Sequence, residues 1–77
     1  MNFHPHNREK LKDSVREAIT KAGSTNKTKR KFKKLVEKAM RNTSPLTGYA
    51  IIKQIDAAHE LIGTLWAEVT AETHSND

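Results

Sequence analysis

Eight cations packed into fifteen positions are the residues most able to do chemistry. Lys27, Lys29, Arg30, Lys31, Lys33, Lys34, Lys38 and Arg41 lie between residues 27 and 41, opposed only by Glu37. This stretch carries a net charge of +7, against +2 for residues 1–26 and −4 for residues 42–77. Clustered charge of one sign speaks about partners and not about fold. The chemistry it suggests is capture of a polyanion. Lys and Arg neutralise phosphates and release condensed counterions, so nucleic-acid binding through this stretch would fall steeply with salt. Its polar side has no aromatic and only Asn26 and Asn42 as amides, so readout of base edges is expected to be poor. Phosphate contacts that position the protein, with limited sequence specificity, are the expected mode. An acidic protein surface is the other partner class. A solvated face that keeps a small chain soluble is the plain alternative.

The remaining candidates are weaker. His4 and His6 form an HxH pair, but the absence of Cys and of a fixed third ligand argues against a metal site. His59 falls on the apolar face of the third predicted helix; the plain reading is a half-buried packing residue, the sharper one a pH-sensitive contact between two copies. Glu60 is adjacent to His59, and i,i+1 positions do not face each other on a helix. Asp56 and Glu60 are spaced i,i+4 on a polar face. The Ser and Thr residues cluster where helices start, and the three glycines are isolated, so no phosphate-cradling loop exists. No nucleophile, acid–base pair or cofactor motif emerges. A chain of this length also offers little concavity for a small-molecule substrate. The expectation is a non-enzyme with no cofactor and no metal.

Three helices must position the cations. Asn7 is a good N-cap, and Leu11, Val15, Ala18, Ile19 and Ala22 repeat as one buried stripe, predicting a helix over 7–22. Gly23 suits the C′ position. Ser24, Thr25 and Asn26 form a short connection, which favours antiparallel neighbours. A second helix is predicted over 26–41, with Phe32, Leu35, Val36, Ala39 and Met40 inward. Lys27, Arg30, Lys34 and Arg41 fall near the opposite pole, flanked by Lys31, Lys33 and Lys38; Lys29 falls nearer the apolar side. Ser44 followed by Pro45 reads as a capping hydroxyl and an N1 proline, predicting a third helix over 45–72. Residues 1–6 are expected to be a flexible arm, with Phe3 as a possible anchor, and 73–77 a frayed tail.

That third helix carries the widest apolar arc, including Ile51, Ile52, Ile55, Ala58, His59, Leu61, Ile62, Leu65, Trp66 and Val69. It exceeds the stripe that one core requires. A small chain without a staple also buries little surface. Both points predict a homodimer, with Ile51, Ala58, Leu61, Ile62, Leu65, Trp66 and Val69 as self-association or partner contacts. Gly63 marks a kink, a close approach or a tolerated weakness. Tyr49 lies toward the polar flank and is the better candidate for an exposed contact. A helix-turn-helix made from the second and third helices is disfavoured, because Asp56, Glu60, Glu68 and Glu72 would repel phosphates from its reading helix.

The fold class expected is all-α: a small three-helix domain over 1–77 with a long C-terminal helix as spine, dimeric. No run of about 18 apolar residues exists to span a membrane, and MNFHPHNREK has no signal-peptide core. Membrane-surface binding by the basic helix is disfavoured because its short apolar face is needed in the core. A cytoplasmic location is expected. The functional expectation is a small intracellular regulatory protein that binds DNA or RNA through the basic helix. The alternative is a small inhibitor or adaptor, of the kind mobile elements encode, docking on an acidic or nucleic-acid-binding surface of a larger protein. A basic component of a ribonucleoprotein is a third reading.

Overall fold

The computed structural model describes residues 8–74. The expectations for the arm, for Asn7 as a cap, for the His4/His6 pair and for residues 75–77 lie outside that range. Among the described residues the protein is all-helical: α1 spans Arg8–Ala22, α2 spans Asn26–Thr43 and α3 spans Gly48–His74. All three pairs of helices are in contact.

Gly23 closes α1. It adopts a φ of 89°, and its N–H donates to Ile19 O at 2.8 Å, so a left-handed glycine ends the helix as its position suggested. Thr25 then caps α2, its hydroxyl accepting from the Thr28 N–H at 3.2 Å. The Thr28 hydroxyl donates back to Ala22 O at 3.2 Å, which ties the start of α2 to the end of α1.

The α2–α3 connection differs from the expected one. Helix α2 continues to Thr43, and Ser44 caps its C-terminal end, with its N–H donating to Met40 O at 2.9 Å. The Ser44 hydroxyl instead accepts from the Leu46 N–H at 3.1 Å. Ser44 is therefore committed to ending one helix and does not start the next. Pro45 lies in the connection, and α3 begins at Gly48, where φ is 60°. It then runs 27 residues to His74, about 40 Å at the usual helical rise and two residues past the expected end.

One cluster forms the core. Leu11 and Val15 enter it from α1, Phe32, Val36 and Met40 from α2, and Ile51, Ile55, Ala58, Ile62, Leu65, Trp66 and Val69 from α3. The Phe32 and Trp66 rings meet at 6.0 Å between centroids, tilted by 47°. The Trp66 indole N–H donates to Ser24 O at 3.3 Å. Ser24 precedes α2 and meets Trp66, while Glu37 further along α2 lies beside His59 earlier in α3. The two helices therefore run antiparallel.

Ala22, expected in the α1 stripe, is the last residue of that helix and is exposed, and two further expected core residues lie outside. Leu35 is 63% exposed and Ile52 is 47% exposed. Each directly neighbours a buried residue, Val36 and Ile51, and one step along a helix turns the side chain by about 100°. That rotation takes both out of stripes that Phe32–Val36–Met40 and Ile51–Ile55 already fill.

Candidate nucleic-acid interface

Helix α2 buries one side and turns the opposite side to solvent. Phe32, Val36 and Met40 define the buried pole. At about 100° per residue, Lys27, Arg30, Lys31, Lys34, Lys38 and Arg41 fall within an outward arc of about 100° centred opposite that pole. All six are exposed, whereas Lys29 and Lys33 are half-buried toward the side of the helix that faces the core. From Lys27 to Arg41 the ridge is about 21 Å long. Lys27, Arg30, Lys31 and Lys34 surround one surface depression of about 440 Å³ together with Asn26. The structure thus brings six of the eight cations onto one face.

Ion pairing separates this face from the rest of the molecule. Arg41 pairs with Glu37 at 3.5 Å. Among the described residues, none of the other seven cations of α2 makes an ion pair. Helix α1 is the reverse case. Arg8 pairs with Glu68, Lys12 with Glu68 at 3.7 Å and Glu72 at 3.0 Å, and Arg16 with Glu72 at 3.3 Å and Asp13 at 2.7 Å. Lys21 pairs with Glu17 at 2.9 Å. The hydrogen bond from Lys12, and then that from Arg16, hold the Glu72 carboxyl below its ordinary value. The bond to Glu72 is in turn the main cause that raises the Arg16 guanidinium. The carboxylates at the end of α3 are therefore occupied by α1 and do not neutralise α2.

Local electrostatics disfavour these cations where they stand. No acidic residue lies in the first turn of α2, and Lys27 and Lys29 sit near its positive dipole end. Lys27–Lys31, Arg30–Lys34 and Lys34–Lys38 are like-charged i,i+4 pairs, each mildly destabilising. Such an arrangement costs the isolated protein stability and concentrates positive field on one face.

The other flagged residues take structural places. His59 is half-buried, with Nε2 at 3.6 Å from Glu37 Oε1, beyond hydrogen-bond range. That nitrogen is buried without a hydrogen-bond partner. Tyr49 is 72% exposed, and the Lys53 ammonium lies 5.5 Å from its ring centroid, within cation–π distance. Gly63 has open space where a Cβ would stand, so it permits no close approach. Ile51, Ala58, Ile62, Leu65, Trp66 and Val69, expected as self-association contacts, are buried within the single chain. Leu61 packs against the same core and keeps partial exposure. The wide arc of α3 is filled because both shorter helices lie on it. Among the described residues, the exposed large apolar ones are instead Leu35, Leu46, Tyr49 and Ile52. Sequence periodicity signalled none of these but Tyr49.

No group of three or more His, Asp or Glu side chains among the described residues is arranged to hold a metal ion. No described helix is long and apolar enough to cross a membrane. Comparison with protein-family models, with curated proteins and with solved structures finds no match to the chain.

Proposed function

We propose that this protein is a small regulatory protein of the cytoplasm that binds nucleic acid through the outward ridge of α2, mainly by phosphate contacts. The observation that carries this reading is that, among the described residues, seven of the eight α2 cations make no ion pair, beside an α1 whose Arg8, Lys12, Arg16 and Lys21 are all paired. An unpaired ridge is free to neutralise the phosphates of a polyanion, and the release of the polyanion's condensed counterions drives association. A mobility-shift titration over salt, with duplex DNA, single strands and structured RNA, is the test. Replacing Arg30, Lys34 and Arg41 together with Ala should weaken binding across all sequences. Absence of affinity at low salt for every nucleic acid refutes the reading, and unchanged affinity of the triple variant removes α2 as the site.

The exposure of Leu35 supports a second reading, a small inhibitor or adaptor that docks the same face on an acidic protein. Leu35 is flanked by Lys31 and Lys38 one turn away on either side, an arrangement suited to an apolar contact ringed by charge. Leu35→Lys separates the two. It adds a cation to a phosphate-binding ridge and should preserve or tighten nucleic-acid binding. It would disrupt an apolar protein contact. The long α3 serves as the spine in either case. A homodimer would present two ridges and gain avidity. Among the described residues the large apolar side chains left for it are Leu35, Leu46, Tyr49 and Ile52, few beside the roughly 20–30 residues a side of a stable interface. A single-chain mass at the highest concentration measured removes the dimer.

A further inference from the structure

We infer that the ligand of the α2 ridge is double-stranded DNA of B form, gripped by phosphate contacts from both sides of the helix. This rests on the nucleic-acid reading above and narrows it.

Proteins that hold single strands combine a positive groove with aromatic side chains on which bases stack. The ridge has no such platform. Phe32 points into the core, Trp66 is buried against it, and the exposed Tyr49 belongs to α3 with Lys53 over its ring. A single strand would have to be ordered on this surface without stacking to offset its lost entropy. A duplex arrives with its phosphates already placed, so a rigid helix of cations meets a rigid array and loses less on binding.

The placement of the cations then selects the form of duplex. Lys27 and Lys34 lie near the midline of the ridge, Arg30 and Arg41 to one side, and Lys31 and Lys38 to the other. A helix is about 10–12 Å across with its side chains, and the B-DNA major groove is about 12 Å wide. Laid along that groove, α2 presents Arg to one phosphate wall and Lys to the other. The major groove of an A-form RNA helix is deep and too narrow to admit it. The ridge of about 21 Å spans roughly six base pairs at 3.4 Å each. Contact stays on one side of the duplex, because Asp56 and Glu60 on α3, and Glu9, Asp13 and Glu17 on α1, are exposed and would repel phosphate. Outward positions on the arc are all Lys or Arg, so discrimination among sequences is weak.

Competition against a labelled 20-base-pair DNA duplex tests the inference with the intact chain. The competitors are the same duplex, a duplex of shuffled sequence, an RNA duplex of equal length and oligo-dT with the same number of phosphates. The two DNA duplexes should compete within about threefold of each other, while the RNA duplex and oligo-dT should be at least tenfold weaker. With about four phosphates engaged, affinity for the DNA duplex should fall about 100-fold between 50 and 200 mM salt. Oligo-dT or the RNA duplex competing as well as DNA overturns the B-form inference and leaves the nucleic-acid reading intact. A preference above tenfold between the DNA sequences overturns the phosphate-only grip. No binding by any of the four at low salt overturns both readings.

Discussion

Lys34→Gln should make the protein more stable while weakening the proposed ligand contact. Lys34 is exposed, without an ion pair, and has Arg30 and Lys31 one turn before it and Lys38 one turn after it. Each like-charged pair at this spacing costs about 0.2–0.5 kcal/mol at low salt. Three such pairs, less the favourable one with Glu37 three residues on, give a net gain of about 0.4–1 kcal/mol when the charge is removed. Gln has nearly the same helix propensity as Lys, so the backbone contributes little to the difference. For a domain of this size about 1 kcal/mol moves Tm by roughly 4–8 °C, so the expected rise is about 2–8 °C. Thermal melts followed by circular dichroism, in low salt and again near 1 M salt, provide the measurement. The gain should shrink in high salt, where the screening length falls to about 3 Å. Lys53→Gln is the control: Lys53 lies over Tyr49, has Asp56 one turn on, and its loss should not stabilise. A lower Tm for Lys34→Gln in low salt, or a gain that ignores salt, would refute the claim that the ridge repels itself.

Five further substitutions, at four positions, probe the fold. Gly63→Ala should stabilise by about 0.5–1 kcal/mol, because the site is helical and open and glycine costs a helix interior that much; Gly23→Ala, at φ 89°, should destabilise by about 1 kcal/mol or more in the same urea titration. Ile62, fully buried, should lose about 0.5–1.5 kcal/mol on change to Val and about 2–5 on change to Ala; a chain of this length has only about 4–12 kcal/mol in total, so the Ala variant should have a shallow or absent thermal transition. The depressed carboxyl of Glu72 favours the folded state above its unfolded pKa, and that contribution disappears as pH falls through the folded value. Glu72→Gln should therefore flatten part of the fall in Tm between neutral pH and about pH 3; the effect is modest, since the pairs are exposed and screened, and an unchanged pH profile would remove Glu72 from the account.

Much of the scaffold was legible in local signals. Gly23 and the Phe32–Val36–Met40 stripe each have a physical role that one turn of sequence reveals. The start of α3 was not, because Ser44 serves equally as the cap that begins a helix and the residue that closes the one before. The choice between them fell to the last turn of α2, where the Ser44 N–H is taken by Met40 O. Leu35 and Ile52 illustrate a second limit. Hydrophobic type marks a broad arc, but the width of the arc actually covered depends on where neighbouring helices lie. That same dependence put Ala58, Ile62 and Leu65 inside the chain's own core, where periodicity alone read their arc as surplus. The basic ridge itself was visible as composition, and its six exposed members followed from helical geometry. What no local pattern could show was which cations have partners. Arg16 and Glu72 are 56 residues apart in sequence, and only the fold brings them together.

That long-range pairing changes the meaning of the net charge. A value of +5 spread evenly would make a weak field with no preferred face. Here Glu68 and Glu72 are drawn to Arg8, Lys12 and Arg16, so α1 and the end of α3 largely cancel each other locally. Glu37 is the one acidic residue within α2, and it faces Arg41 and His59, at the edge of the ridge and not on its midline. The field outside the protein is then dominated by Lys27, Arg30, Lys31, Lys34 and Lys38. A helix shaped by stability alone would carry acids near Asn26 and alternate its charges along the exposed side. Helix α2 does neither, whereas α1 follows the first rule, with Glu9 in its first turn and Lys21 in its last. The contrast within one small chain is the physical reason to assign the ridge a ligand and the other two helices the task of presenting it.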